Sequence, residues 1–165
     1  MHGSVSDPPT RFSVRVLLID QQQRVLMLAA KDPADGRVVW FVPGGGREPN
    51  ESLEETARRE LAEEVGLLDP PSLEGPIWTR SHEFTWDGRT IAQHETFFLC
   101  RLAESLPVDT IRPGDPEGEF FEGARWCRPD EMATLKDIVA PQRVAELLEP
   151  ILEGRLPSRP LDVGT

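Results

Sequence analysis

The chain has 165 residues, 38% of them hydrophobic and 28% charged, with a formal net charge of −11. A chain of that length fits one domain that buries about two thirds of its unfolded surface, so neither a metal nor a disulfide is needed to hold it together. The acidic balance excludes a nucleic-acid duplex as the main partner, because binding a polyanion rests on Lys and Arg neutralising phosphates; a cation is the expected electrostatic partner.

Met1 to Thr10 is polar and ends in Pro8-Pro9, which predicts a flexible tail over 1–10. Phe12 to Ile19 and Val25 to Leu28 are rich in β-branched and aliphatic residues and flank the polar Asp20 to Gln23, predicting two strands and a turn. Asp32 to Arg37 reads as a loop, Val38 to Val42 as a short strand, and Pro43 with Gly44, Gly45 and Gly46 as a flexible corner. Ser52 and Glu55 have the spacing of a capping box, and Leu53, Ala57, Leu61 and Val65 recur every four residues up to Gly66, predicting a helix.

Ile77 to Trp86 and Arg89 to Leu102 are strand-like, and Asp87-Gly88 between them predicts a two-residue hairpin with Arg80 opposite Glu95, Phe84 opposite Ile91 and Trp78 opposite Phe97. Trp126 opens another strand, and Val144, Leu147, Leu148 and Ile151 form the apolar stripe of a closing helix. Arg155 to Thr165, with two prolines, a glycine and few apolar anchors, predicts a second flexible tail over 155–165 around a single domain at 11–154. The order of elements suggests a mixed sheet packed between helices.

Cys100 and Cys127 both lie in apolar strand-like segments and no signal peptide is visible, so free thiols and a reducing cytoplasm are expected. The longest aliphatic run, Val16 to Ile19, is too short for a membrane span, which takes about 20 residues.

On the predicted helix Glu60, Glu63 and Glu64 stand at i, i+3 and i+4, within one quadrant of its surface. Three like charges this close repel unless a cation sits among them, and oxygen-only ligands suit Mg²⁺ shared with substrate phosphates. Reading outward, Gly45, Glu51, Arg59, Glu60, Leu61, Glu63, Glu64, Gly66 and Leu67 spell G-x5-E-x7-R-E-U-x-E-E-x-G-U, U being aliphatic. This pattern resembles the Nudix box at every defined position, with a chance match on the order of one in a billion per start position. Trp40-Phe41-Val42-Pro43-Gly44 entering the box and the Trp126 strand beyond it extend the resemblance.

The resemblance implies an α/β/α sandwich and a Mg²⁺-dependent hydrolase (Mn²⁺ as a substitute) that cleaves a phosphoanhydride in a nucleoside diphosphate linked to another group. By carry-over Glu60, Glu63 and Glu64 would ligate the metal with the backbone carbonyl of Gly45, Glu63 or Glu64 would also orient the attacking water, and Arg59 would pair with Glu51 to hold the loop against the helix. A further base from outside the box falls to Glu119, Glu122 or Glu95, the last set opposite Arg80 and equally an ion-pair partner. Arg47 and Arg80 are candidate phosphate contacts, as are Arg15 and Arg24. His82 and His94 read as surface or hydrogen-bonded residues, and Trp78, Phe84 and Trp86 as core or a stack for a base.

The chain has no tyrosine, and Arg80 to Phe84 stands where a proline marks ADP-ribose pyrophosphatases in the family. The expected substrate is therefore a nucleoside triphosphate or similar small nucleotide. ADP-ribose or nucleotide-sugar hydrolysis, and a non-catalytic nucleotide-binding domain, remain open alternatives. So does a homodimer.

Overall fold

The computed structural model describes residues 9–111 and 120–164. The strands β1 (Thr10–Ile19), β2 (Val25–Lys31), β3 (Val38–Phe41) and β4 (Gly44–Gly46) precede the helix α1 (Leu53–Val65). The long hairpin β5 (Leu73–Trp86) and β6 (Arg89–Arg101) follows, then β7 (Phe121–Cys127), α2 (Pro129–Ala133), β8 (Ile138–Val139), α3 (Val144–Leu152) and β9 (Leu161–Asp162).

Val14, Val16 to Ile19 and Val25 to Ala30 are buried on both sides of their strands, so β1 and β2 must lie inside a sheet covered on each face. The sheet order is β8-β3-β2-β1-β6-β5-β9, with β7 on β2 and β4 on β1. It is mixed, β1 running parallel to β6 and antiparallel to β2 and β4. One face packs Val14, Val16 and Leu18 against Ala57, Leu61 and Val65 of α1. The other packs Leu17, Ile19, Trp78 and Phe97 against Met132 of α2 and Val144, Leu148 and Ile151 of α3. Burying two such faces is the main favourable term, about 25 cal/mol per Å² of apolar area, and it makes the molecule an α/β/α sandwich.

Local chemistry sets the element ends. Ser52 Oγ accepts from the Glu55 amide at 3.1 Å while the Glu55 carboxylate accepts from the Ser52 amide at 3.3 Å, closing the capping box. Gly66, left-handed at φ 74°, ends α1. In the hairpin Asp87 (φ 51°) and Gly88 (φ 73°) are both left-handed, as a type I′ turn requires. The register is the expected one, with Arg80 opposite Glu95, Phe84 opposite Ile91 and Trp78 opposite Phe97.

Several elements differ from the sequence reading. The glycine corner is a strand: Gly44, Gly45 and Gly46 pair with Arg15, Val14 and Ser13 of β1. The downstream strand begins at Phe121 rather than Trp126. The segment read as a loose C-terminal tail docks, with β9 parallel to β5, the Val163 amide donating to the Thr79 carbonyl at 2.9 Å and Val163 buried in the core. One valine and a two-residue strand carry no periodic signal. In the N-terminal tail residues 1–8 lie outside the described residues, and Thr10 already belongs to β1.

Candidate active site

β1 is shared between two partners: β2 takes its C-terminal end at Ile19, and β4 takes Ser13 to Arg15. The chain reaching β4 must therefore pass hard against β1. A Cβ on Gly44 would stand 2.0 Å from the Val14 carbonyl oxygen and 2.8 Å from the Arg15 side chain, so only glycine fits. The next residue meets the helix instead, because a Cβ on Gly45 would stand 2.4 Å from the Glu60 carboxylate. The bare backbone of Gly45 and that carboxylate thus share one small space. From the other side the Gly44 amide donates to Glu64 Oε1 at 3.2 Å.

Arg59 joins loop to helix. Its Nε and Nη2 donate to the two oxygens of Glu51 at 2.6 and 2.9 Å, and Nη2 also donates to the Gly46 carbonyl at 2.8 Å. Its Nη1 reaches Glu60 at 2.9 Å and Glu63 at 3.2 Å. The planar fork allows this two-sided grip, which a lysine could not reproduce. Arg59 holds the Glu51 carboxyl down at about 2, helped by the Glu48 amide. Burial raises the pKa of Glu60 despite Arg59, so the protein leaves a poorly hydrated acid there. Arg47 is exposed and donates through Nε to the Glu51 carbonyl at 2.6 Å.

The residues suit a hard cation. Glu60, Glu63, Glu64 and the Gly45 carbonyl offer only oxygen, and the missing Cβ of Gly45 leaves room beside Glu60. Among the described residues no three acidic, His or Cys side chains form a group that could hold a metal ion by themselves. Arg59 contacts one oxygen each of Glu60 and Glu63, and the Gly44 amide one of Glu64. The contacts to Glu51 and Gly46 hold the guanidinium independently of Nη1.

Residues 9–148 match the family model of the NUDIX domain. The chain belongs to the Nudix family. It is 31% identical over 150 residues to the RNA pyrophosphohydrolase of Novosphingobium aromaticivorans, covering 86% of this chain and 89% of that protein. It is 28% identical over 114 residues to phosphatase NudJ of Escherichia coli, covering 69% of this chain and 67% of that one. The crystal structure of a MutT protein from Methanosarcina mazei Go1 shares the fold, with a TM-score of 0.65 at 18% identity over 88% of this chain and 97% of the other. This chain is accordingly a Nudix hydrolase, a pyrophosphohydrolase acting on nucleotide-linked substrates.

The other residues singled out from the sequence are spread over the sheet and its turns. Glu119 lies outside the described residues, and Glu122 is exposed where the β2–β7 pairing shifts register. Arg80 is 7% exposed and bound to Glu95 at 2.6 Å rather than presented to solvent. Glu95, 3% exposed, also takes Arg15 Nε at 2.8 Å and stands 3.2 Å from His82 Nε2. Trp78 is core, whereas His82 and Phe84 stack at 5.2 Å and Trp86 meets Phe120 edge-on at 6.4 Å. His94 accepts or donates at 2.7 Å to Ser81 Oγ, and Arg24 pairs with the buried Asp20. A groove of about 480 Å³ between α2 and α3, lined by Leu135, Ile138, Val139 and Arg143, opens on the sheet face opposite α1.

Arg15, one of four arginines offered as phosphate contacts, also carries a buried ion pair with Glu95 that the sequence did not show. A lone arginine between Val14 and Val16 in an aliphatic strand signals a buried charge that needs a partner. Its partner sits on β6, and nothing local in the sequence sets β1 beside β6.

Proposed function

We propose that the chain is a Mg²⁺-dependent enzyme, with Mn²⁺ as a substitute, that hydrolyses a phosphoanhydride in a nucleoside triphosphate or similar small nucleotide. The observation that carries this reading is the meeting of Glu60, Glu64 and the backbone of Gly44 and Gly45 in one space that a single Cβ would fill. Glu60, Glu63 and Glu64, with the Gly45 carbonyl, would hold the metal. When bound, the cation supplies charge to the phosphate oxygens and makes the attacking water more acidic. Glu63 or Glu64 would orient that water through a carboxylate oxygen, and Glu119 and Glu122 are the candidates outside the helix to take its proton. Glu51 and Arg59 fix the loop that carries the Gly45 carbonyl, and Arg47, exposed at its rim, would meet a phosphate.

The RNA pyrophosphohydrolase likeness favours a second reading. RNA carries phosphoanhydrides only in a 5′-terminal polyphosphate, so such a substrate offers this site the same bond on a longer chain. The net charge of −11 disfavours a long polyanion. We assign the protein to the cytoplasm on its composition and two unpaired cysteines.

The test is turnover of nucleoside triphosphates, ADP-ribose, diadenosine tetraphosphate and a 5′-triphosphorylated RNA at one Mg²⁺ concentration, with products identified by mass. The highest kcat/KM is expected for a nucleoside triphosphate, and a clear preference for another arm overturns the substrate. Glu63→Gln and Glu64→Gln are expected to lower kcat by about two orders of magnitude or more with the fold intact, since each removes charge stabilisation from the transition state. Near-normal activity of either at saturating Mg²⁺ overturns the metal assignment.

A further inference from the structure

Two arginines of the sheet meet at Glu95, and the structure separates their roles. Arg80 is buried against its strand partner: it is 7% exposed and its Nη1 contacts both Glu95 and His82. Arg15 is held differently. Its Nε donates to Glu95 Oε2 at 2.8 Å, its Nη1 to the Val42 carbonyl at 3.3 Å, and its guanidinium carbon lies 5.4 Å from the centre of the Phe41 ring. Its side chain retains 15% exposure, and Nη2 makes no hydrogen bond among the described residues. The stem of Arg15 lies against Gly44, one residue from the Gly45 carbonyl, and its charge is felt by Glu64 and Glu60 as well as Glu95.

Glu95 cannot act as a base in this setting. Arg15 takes one oxygen, and Arg80 and His82 converge on the other. Burial alone would raise its pKa, but His82, Arg15 and Arg80 outweigh that and hold the carboxyl well below the usual range. An acceptor so occupied keeps its charge and transfers no proton. What it does is aim Arg15: two charge-assisted bonds from opposite sides fix the carboxylate, and the carboxylate fixes Nε, leaving the far edge of the guanidinium turned outward.

We propose that Arg15 binds a non-bridging phosphate oxygen of the substrate through Nη2, beside the glutamates of α1, and that Glu95, braced by Arg80 and His82, is the positioning residue that holds it there. The inference rests on the proposed phosphoanhydride hydrolysis for its substrate, but the phosphate contact stands on geometry of its own. It moves the strand contact to phosphate from Arg80 to Arg15 and gives Glu95 a role that is neither catalytic nor a mere surface ion pair.

The experiment uses the whole chain as wild type, Arg15→Gln, Glu95→Gln and the double variant, with unfolding temperature checked for each. Two readouts are taken: KM and kcat for a nucleoside triphosphate at saturating Mg²⁺, and calorimetric binding of inorganic pyrophosphate with Mg²⁺. Each single variant is expected to raise KM and weaken pyrophosphate binding by about tenfold, the worth of one charge-assisted hydrogen bond, with kcat falling less. The double variant is expected to bind no worse than Arg15→Gln alone, because Glu95 acts through Arg15. Unchanged pyrophosphate binding in Arg15→Gln overturns the phosphate contact. Effects that multiply in the double variant, or a Glu95→Gln protein that loses stability but keeps KM, overturn the positioning role. Should Glu95→Gln fail to fold, Glu95→Asp keeps the charge and draws Arg15 back, and an unchanged KM in it overturns the same role. A wild type that hydrolyses no nucleotide yet binds pyrophosphate in an Arg15-dependent way overturns the proposed reaction and supports this assignment.

Discussion

Glu51 shows how a residue outside the proposed metal ligands can hold the loop beside them. Its carboxylate takes two bonds from Arg59, one from the Glu48 amide and one from Thr56 Oγ1, and its pKa falls from 4.5 to about 2. A depressed carboxyl pKa means the folded state releases its proton more readily than the unfolded chain. The stabilisation from Glu51 is therefore complete above about 4.5 and fades as pH falls toward about 2. The stability gap between wild type and Glu51→Gln is expected to be widest at neutral pH and to narrow across that window, as urea midpoints at a series of pH values would show. A gap constant with pH would mean that Arg59 does not depend on the charge of Glu51. The spacing of Glu51, Arg59, Glu60, Glu63 and Glu64 was legible because all sit on one loop and one helix, where number maps directly onto direction. The clamp of Arg15, Arg80 and His82 on Glu95 was legible only in its hairpin half, since a type I′ turn fixes that register and nothing in the sequence fixes β1 against β6.

Between elements, the 32–37 loop is fastened to the tip of the β5–β6 hairpin. Asp32, 1% exposed, accepts from the Ala34 amide at 2.9 Å and from the Asp87 amide at 3.1 Å through the same oxygen, with Arg37 Nη2 at 3.5 Å on the other. Arg37 Nη2 also donates to the Thr85 carbonyl at 3.2 Å. In Asp32→Ala the Asp87 amide loses its acceptor, and the hairpin tip should open without unfolding the sheet. Hydrogen exchange is expected to speed up at Asp87 and the adjoining turn while amides of β1 and β2 keep their protection. Uniform acceleration across the sheet would refute this local latch. Elements with a periodic signal or a strong turn, such as α1 and the hairpin, were readable in advance. β4, β8 and β9 were not: they are three, two and two residues long, and tertiary pairing rather than propensity makes them strands.

Across the whole molecule, the two cysteines report on the integrity of both cores. Cys100 packs with α1 and Cys127 with α2 and α3, each fully buried, and burial lifts both thiols to about 11. Since the thiolate is the reacting form, a disulfide reagent at pH 8 is expected to leave both unmodified in the folded protein and to modify both in urea. Rapid modification of one without denaturant would mean that its face of the sheet opens independently. The sandwich itself was legible from the alternation of strand and helix patterns, and the charge of −11 is consistent with a surface that leaves its carboxylates to solvent and cation.

The parallel pairing of β1 with β6 sets the order in which the molecule can come together. Its contacts, such as Ser13 to Gln93 and Arg15 to Glu95, join residues 80 positions apart in the chain. Closing a loop of that length costs roughly 4 kcal/mol of chain entropy from length alone, before any side chain has been buried in return. Until the ribosome has delivered β6, the aliphatic β1 has no neighbour on that flank and presents Val16, Leu17 and Leu18 on an open edge. Before that pairing, contacts local in sequence such as those of α1 and the β2–β3 pair are the ones that can form, and an unpaired β1 edge is open to self-association. The same pairing that brings Glu95 to Arg15 therefore waits on partners 80 positions apart in the chain.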